Sequence, residues 1–122
     1  MGAKTVPTDG DVGRLHRWFA VELNNGTWDL IDGGLSEKSP VEERERALYG
    51  AYASTYHWLQ VGNVDNHGRG EYVIATVACV VGLLDVAQAH AARCEELMAS
   101  EPAAFEDWDR AFAAELRARI AA

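Results

Sequence analysis

The amino-acid sequence predicts an all-α protein of about five helices in antiparallel pairs, and three observations carry that prediction. Apolar residues recur at helical spacing along most of the 122 residues. Serine, proline, asparagine and glycine stand where helices start and stop. The one β-branched run, Tyr72 to Val81, has a buried strand as its alternative, but no second strand-like segment exists to pair with it.

Residues 1–8 read as a short flexible arm and 9–122 as a single helical domain. From Asp9, Val12, Leu15, Phe19 and Leu23 lie near helical spacing, and Trp28 and Ile31 continue the pattern. Asn24-Asn25-Gly26 between them either bends one long helix or breaks it, and Gly33-Gly34 ends it. The second helix starts at Ser39-Pro40-Val41-Glu42, with Ser at the cap, Pro in the first position and Glu in the third. Leu48, Tyr52, Thr55 and Leu59 form its stripe, and Gly62 closes it. Asn66 is placed to cap the third helix, whose all-round apolarity marks it as the central one. After Gly82, Asp85 with Gln88 resembles a capping box for a fourth helix. A fifth follows Glu101-Pro102, with Phe105, Trp108, Phe112, Leu116 and Ile120 on one face.

Composition excludes some functions. A net charge of −8 and the lack of a basic block disfavour nucleic acid, whose binding rests on Lys and Arg neutralising phosphates. Cys79 and Cys94 do not make a disulfide framework and read as small buried hydrophobes. The N-terminus lacks the apolar core of a signal peptide, and Val6 stands where myristoylation wants Ser or Thr. The longest apolar run, Tyr72 to Leu84, is too short to span a bilayer. No membrane association is expected, and the cytoplasm is the default location.

Antiparallel helix pairs invite a search for a repeat. The tetratricopeptide pattern can be laid on Glu71, Ile74, Ala75, Ala78, Ala87 and Ala91, with small residues matching at Ala75 and Ala87. A shift of one repeat lands on Phe105, Trp108 and Phe112, which makes the fifth helix the first half of another unit. Beyond this, the chain carries Thr27-Trp28-Asp29-Leu30-Ile31-Asp32, then Tyr56-His57-Trp58, Gly62, Asn66 and Arg69-Gly70-Glu71. His90, Ala91 and Cys94 follow, then Asp107-Trp108-Asp109 and Phe112. On these residues, over about 18–118, it resembles an uncharacterised bacterial family of tetratricopeptide-like helical proteins with a YHW…N…RGE motif. The resemblance implies a tetratricopeptide-like helical bundle and assigns no activity.

The stretch Tyr56 to Tyr72 holds the densest chemistry in the chain. One reading gives every member a structural task, with Trp58 in the core, Gly68 and Gly70 allowing close approach, and Arg69 paired with a carboxylate. The other makes it a site. His57 and Glu71 would then be catalytic, since an unperturbed imidazole titrates near neutrality. Arg69 and Asn66, at the start of their helix, would bind an anionic small molecule, with Trp28, Tyr56 and Trp58 as apolar walls. His90 and Cys94 share a helix face and offer two metal ligands, but no second pair has compatible spacing, so no metal and no cofactor is expected. Ser54 and Cys94 lack any nucleophile motif. The function expected first is a small acidic module that binds a protein partner or its own copies as a homo-oligomer. The alternative is a small cofactor-free enzyme, or metabolite-binding protein, using His57, Arg69 and Glu71 in acid–base chemistry.

Overall fold

Five α-helices make up most of residues 5–122, which are those the computed structural model describes, and no strand occurs among them. They are α1 (Asp9–Asp32), α2 (Val41–Val61), α3 (Val64–Val80), α4 (Leu84–Ser100) and α5 (Asp107–Ala121), with a 3₁₀ turn at Pro102–Ala104 ahead of α5. Of the expected arm, residues 1–4 lie outside the described residues. Thr8, at its end, already serves α1: its hydroxyl accepts from Asp11 N–H and its own N–H donates to the Asp11 carboxylate, both at 3.1 Å.

Contacts fix the helix directions. Ala20 meets Ser54 and Thr27 faces Gly50 across α1 and α2, while Glu71 meets His90 and Gly68 faces Leu97 across α3 and α4. Partner numbers fall on one helix as they rise on the other, so neighbours are antiparallel. The tightest packing lies within the α1–α2 and α3–α4 pairs, and α5 packs mainly on α4 and α3. As expected, α3 is central, with Val73 through Ala78 all buried. It turns into α4 at Gly82, whose φ of +84° only glycine adopts without strain.

The faces of α1 and α2 differ from the expectation. Val12, Leu15 and Phe19 on α1, and Tyr52 and Leu59 on α2, are exposed. The fully buried residues are Ala20 and Thr27 on α1, and Ala47, Ala51 and Ser54 on α2, together with Thr55 of the expected stripe. Small side chains let the backbones come together, and the larger residues beside them are turned outward. Ser54 completes the contact by donating its hydroxyl to the Ala20 carbonyl at 2.6 Å.

Helix ends differ too. Asn24-Asn25-Gly26 does not interrupt α1. Pro40, not Ser39, takes the cap position of α2, and the Ser39 hydroxyl instead accepts from Ser36 N–H. Asn63 caps α3 in place of Asn66, which sits three residues in and accepts from Asn63 N–H at 3.0 Å. Leu83 precedes α4 with no side-chain cap, so Asp85 and Gln88 form no box. The fifth helix begins after Glu106 rather than directly after Pro102.

Gly70 lets α3 lie close against Thr55 of α2. A Cβ there would lie 2.5 Å from Thr55 Oγ1 and 2.8 Å from its Cγ2. Gly70→Ala is expected to lower stability by about 1–3 kcal/mol through overpacking. Gly13 on α1 has nothing within 4 Å of such an atom, so Gly13→Ala is expected to raise stability by about 0.5–1 kcal/mol. Urea unfolding of the two variants beside the wild type checks both signs.

Candidate functional site

Arg69 ties α3 to α5. Its Nε and Nη2 donate to the two carboxylate oxygens of Asp109, both at 3.0 Å, and its Nη1 donates to Asp65 at 3.1 Å. Its guanidinium also lies over the Trp108 ring, 4.6 Å from the centroid. Burial works to raise the Asp109 pKa, but the Arg69 hydrogen bonds and the Glu106 N–H hold the carboxyl below its usual value. Asp109 also accepts from Glu106 N–H at 2.9 Å and so caps α5. One carboxylate thus starts the helix and docks it.

Beside this pair opens a cavity of about 440 Å³, within the range of small-ligand sites. Its walls are aromatic: Trp28 from α1, Tyr72 from α3, Phe105 from the connection, and Trp108 and Phe112 from α5. The rings of Trp28, Tyr72 and Phe112 form a row, with centroids 6.3 and 6.1 Å apart. Gly68 makes room for the Phe105 ring, since a Cβ would fall 2.6 Å from its Cε1. Cys94 lines the cavity as an inert thiol, because burial, with Glu95 and Glu71 nearby, pushes its pKa up to about 11. The charged side chains in the lining, Arg69 and Asp109, neutralise each other.

Glu71 and His57 stand elsewhere. The buried Glu71 carboxylate accepts from His90 Nδ1 on α4 and, at 3.3 Å, from His67 Nε2 one turn back on α3. His90 Nε2 in turn lies 2.8 Å from the Tyr52 hydroxyl on α2. His57 reaches α1, its Nδ1 2.8 Å from Nδ1 of His16, with the Phe19 ring stacked on it at 5.4 Å. Burial and the neighbouring His16 hold its pKa below the usual 6.5.

Of the seven candidate residues, the cavity brings together only Trp28 and Arg69. Tyr56 is exposed with its ring T-shaped against His57, and Trp58 is half-buried beneath the Arg17 guanidinium at 5.7 Å. Asn66 is occupied at the start of α3. No hydrogen bond joins any two of His57, Arg69 and Glu71. The sequence reading missed Tyr72, Met98 and Asp109 in the cavity lining, and His16, Tyr52 and His67 as partners of the titratable groups. Asp109 had a local signal, standing three residues after Glu106 in a capping arrangement. His67 had one too, four residues before Glu71 on one helix face, whereas His16 and Tyr52 had none. Among the described residues, no group of three or more His, Cys, Asp or Glu side chains is arranged to hold a metal ion, and no helix is long and apolar enough to cross a membrane.

Comparison of the chain with protein-family models, with curated proteins and with solved structures returned no match, so the functional reading rests on this geometry.

The His16–His57 contact predicts acid sensitivity. Two ring nitrogens at 2.8 Å share one proton and cannot both carry one. No carboxylate pairs with either ring, and the flanking charges, Arg14 and Arg17, are cationic; Arg17 donates to the Val61 carbonyl and Arg14 pairs with Asp11. With the folded pKa of His57 depressed, the unfolded chain binds protons first as pH falls. The stabilisation is therefore complete above 6.5 and lost as pH drops through the lower folded value. The melting temperature should fall as pH drops from 6.5 to the lower folded value and level off beneath it, with a shallower fall in His16→Gln. Equal slopes for the two proteins would remove this role for the pair.

Proposed function

We propose that the protein is a small acidic binding module, a tetratricopeptide-like stack of helix pairs that takes an apolar anchor residue of a partner protein into the aromatic cavity. The observation that carries this reading is the composition of the cavity. It presents the rings of Trp28, Tyr72, Trp108 and Phe112, while its one cation, Arg69, is already held by two carboxylates. An anionic ligand would have to displace Asp109 from a bidentate pair and uncap α5 to reach that guanidinium. An uncharged apolar group meets no such cost, and aromatic pockets of this kind form the centres of protein interfaces.

The charge of −8 favours a partner segment that is basic around its anchor, because complementary charge speeds encounter and excludes like-charged surfaces. For the same reason a second copy of the chain is a less suitable occupant. Acid–base chemistry through His57, Arg69 and Glu71 finds less support, as the three are engaged with separate partners.

The test is a titration with a peptide bearing one tryptophan between lysines, beside its glutamate-flanked counterpart, with uncharged N-phenyl naphthylamine as a competing probe. Saturable binding of the lysine peptide, displacement of the probe and weakening with salt are expected. Phe112→Ala and Trp108→Ala should each weaken binding by about 2 kcal/mol, roughly thirtyfold, with the fold retained because both rings are half exposed. Failure of the probe to bind, or binding indifferent to both substitutions, would sink the proposal.

A further inference from the structure

A second arrangement, formed by α2, α3 and α4, shares no residue with the cavity lining. Tyr52, His90, Glu71 and His67 form one hydrogen-bonded chain that runs from solvent to a buried carboxylate. The directions along it follow from what each group can do. An ionised carboxylate only accepts, so His90 carries its proton on Nδ1 and His67 on Nε2. That leaves His90 Nε2 as a lone pair facing the Tyr52 hydroxyl at 2.8 Å. Glu71 is buried, with its side chain 10% exposed, His90 is 23% exposed at its side chain, and Tyr52 opens to solvent at 42%.

We propose that Tyr52 is a nucleophile toward activated acyl groups, such as esters with a good leaving group, with His90 as its general base and Glu71 as the positioning residue. The order of groups, with an exposed hydroxyl, a base within hydrogen-bond reach and a carboxylate orienting the base, is that of nucleophilic triads on unrelated folds. The Tyr52 oxygen attacks the acyl carbon and its proton passes to His90 Nε2. The tetrahedral adduct collapses with the bond to the leaving oxygen breaking and its electron pair departing on that oxygen. The imidazolium, stabilised meanwhile by the Glu71 carboxylate, returns its proton to the leaving group or to water. The product is an acyl ester of Tyr52.

Burial and the Glu71 charge keep the Tyr52 hydroxyl above the ordinary tyrosine value of 10.0. Free phenolate is therefore suppressed, and the base supplies what reactivity there is. His67, on the far oxygen of Glu71, leaves the carboxylate no freedom to turn away. Two exposed tyrosines on the same helix serve as internal standards: Tyr49, bonded to the Glu45 carboxylate at 2.9 Å, and Tyr56, whose neighbour His57 gives its Nδ1 to His16.

The experiment is incubation of the full chain with p-nitrophenyl acetate, following nitrophenolate release and mapping acetyl groups by peptide mass spectrometry. Tyr52 is expected to be acetylated on the order of 100-fold faster than Tyr49 and Tyr56, the usual contribution of a positioned general base. Its rate should level off with pH below the range where phenols ionise. Tyr52→Phe should remove the fast phase, and His90→Gln should bring Tyr52 down to the rate of the other two. Acetylation of Tyr52 no faster than that of Tyr49 and Tyr56 in the wild type overturns the proposal, as does an unchanged rate in folded His90→Gln. The wild-type comparison decides the matter by itself where the variant does not fold.

Discussion

The bidentate pair between Arg69 and Asp109 is the constraint on which the arrangement of the C-terminal third depends. The planar fork of the guanidinium matches a carboxylate at two points, which sets orientation as well as distance. A lysine at position 69 would give one contact and no orientation. Because Asp109 also accepts from the N–H of Glu106, the N-cap residue, and so completes the capping box of α5, the start of the helix and its place on α3 are set together. Trp108 is held under the same guanidinium and against Phe112, which one turn on meets the Tyr72 ring. The aromatic cavity is a by-product of that geometry. The Asp109 side chain is 5% exposed and Arg69 34%, so desolvation offsets much of the attraction. The pair acts mainly through direction.

Packing by small residues explains the rest of the architecture. Ala20, Ala47 and Ala51 are essentially inaccessible, and Gly70 presses on Thr55. Helices that approach through such residues leave no space between them for large rings. Trp18, Tyr49 and Tyr56 therefore stand on the outside. The same closeness brings Tyr52, Glu71 and His90, from three different helices, within hydrogen-bond reach.

The helical class, the number of helices and the central place of α3 were legible because continuous apolarity and glycine punctuation are local signals. The buried faces of α1 and α2 were not. Periodicity weights Leu15, Phe19 and Tyr52 heavily and alanine weakly, whereas packing chose Ala20, Ala47 and Ala51. Site residues divide in the same way. Trp28 and Arg69 were recognisable as chemistry worth placing, and the fold puts them in one cavity. The partners that decide what Arg69, His57 and Glu71 can do lie 40, 41 and 19 residues away along the chain. No spacing rule reaches across such distances. What could have been read locally are the Glu106 and Asp109 cap and the one-turn pairs Asp65–Arg69 and His67–Glu71.

The dominance of packing between sequence neighbours has a kinetic consequence. Each of the two hairpins, α1–α2 and α3–α4, can assemble by closing a short loop, and low contact order of this kind goes with fast folding. The α5 helix is different, since its anchoring ion pair closes a loop of 40 residues. It docks on a preformed α3–α4 surface and should be the first element to detach in native fluctuations. Amide hydrogen exchange would show this as weaker protection along α5 than along α3. Detachment would also open the aromatic cavity while the four-helix remainder stayed intact, so a bulky anchor could enter from the side without global unfolding.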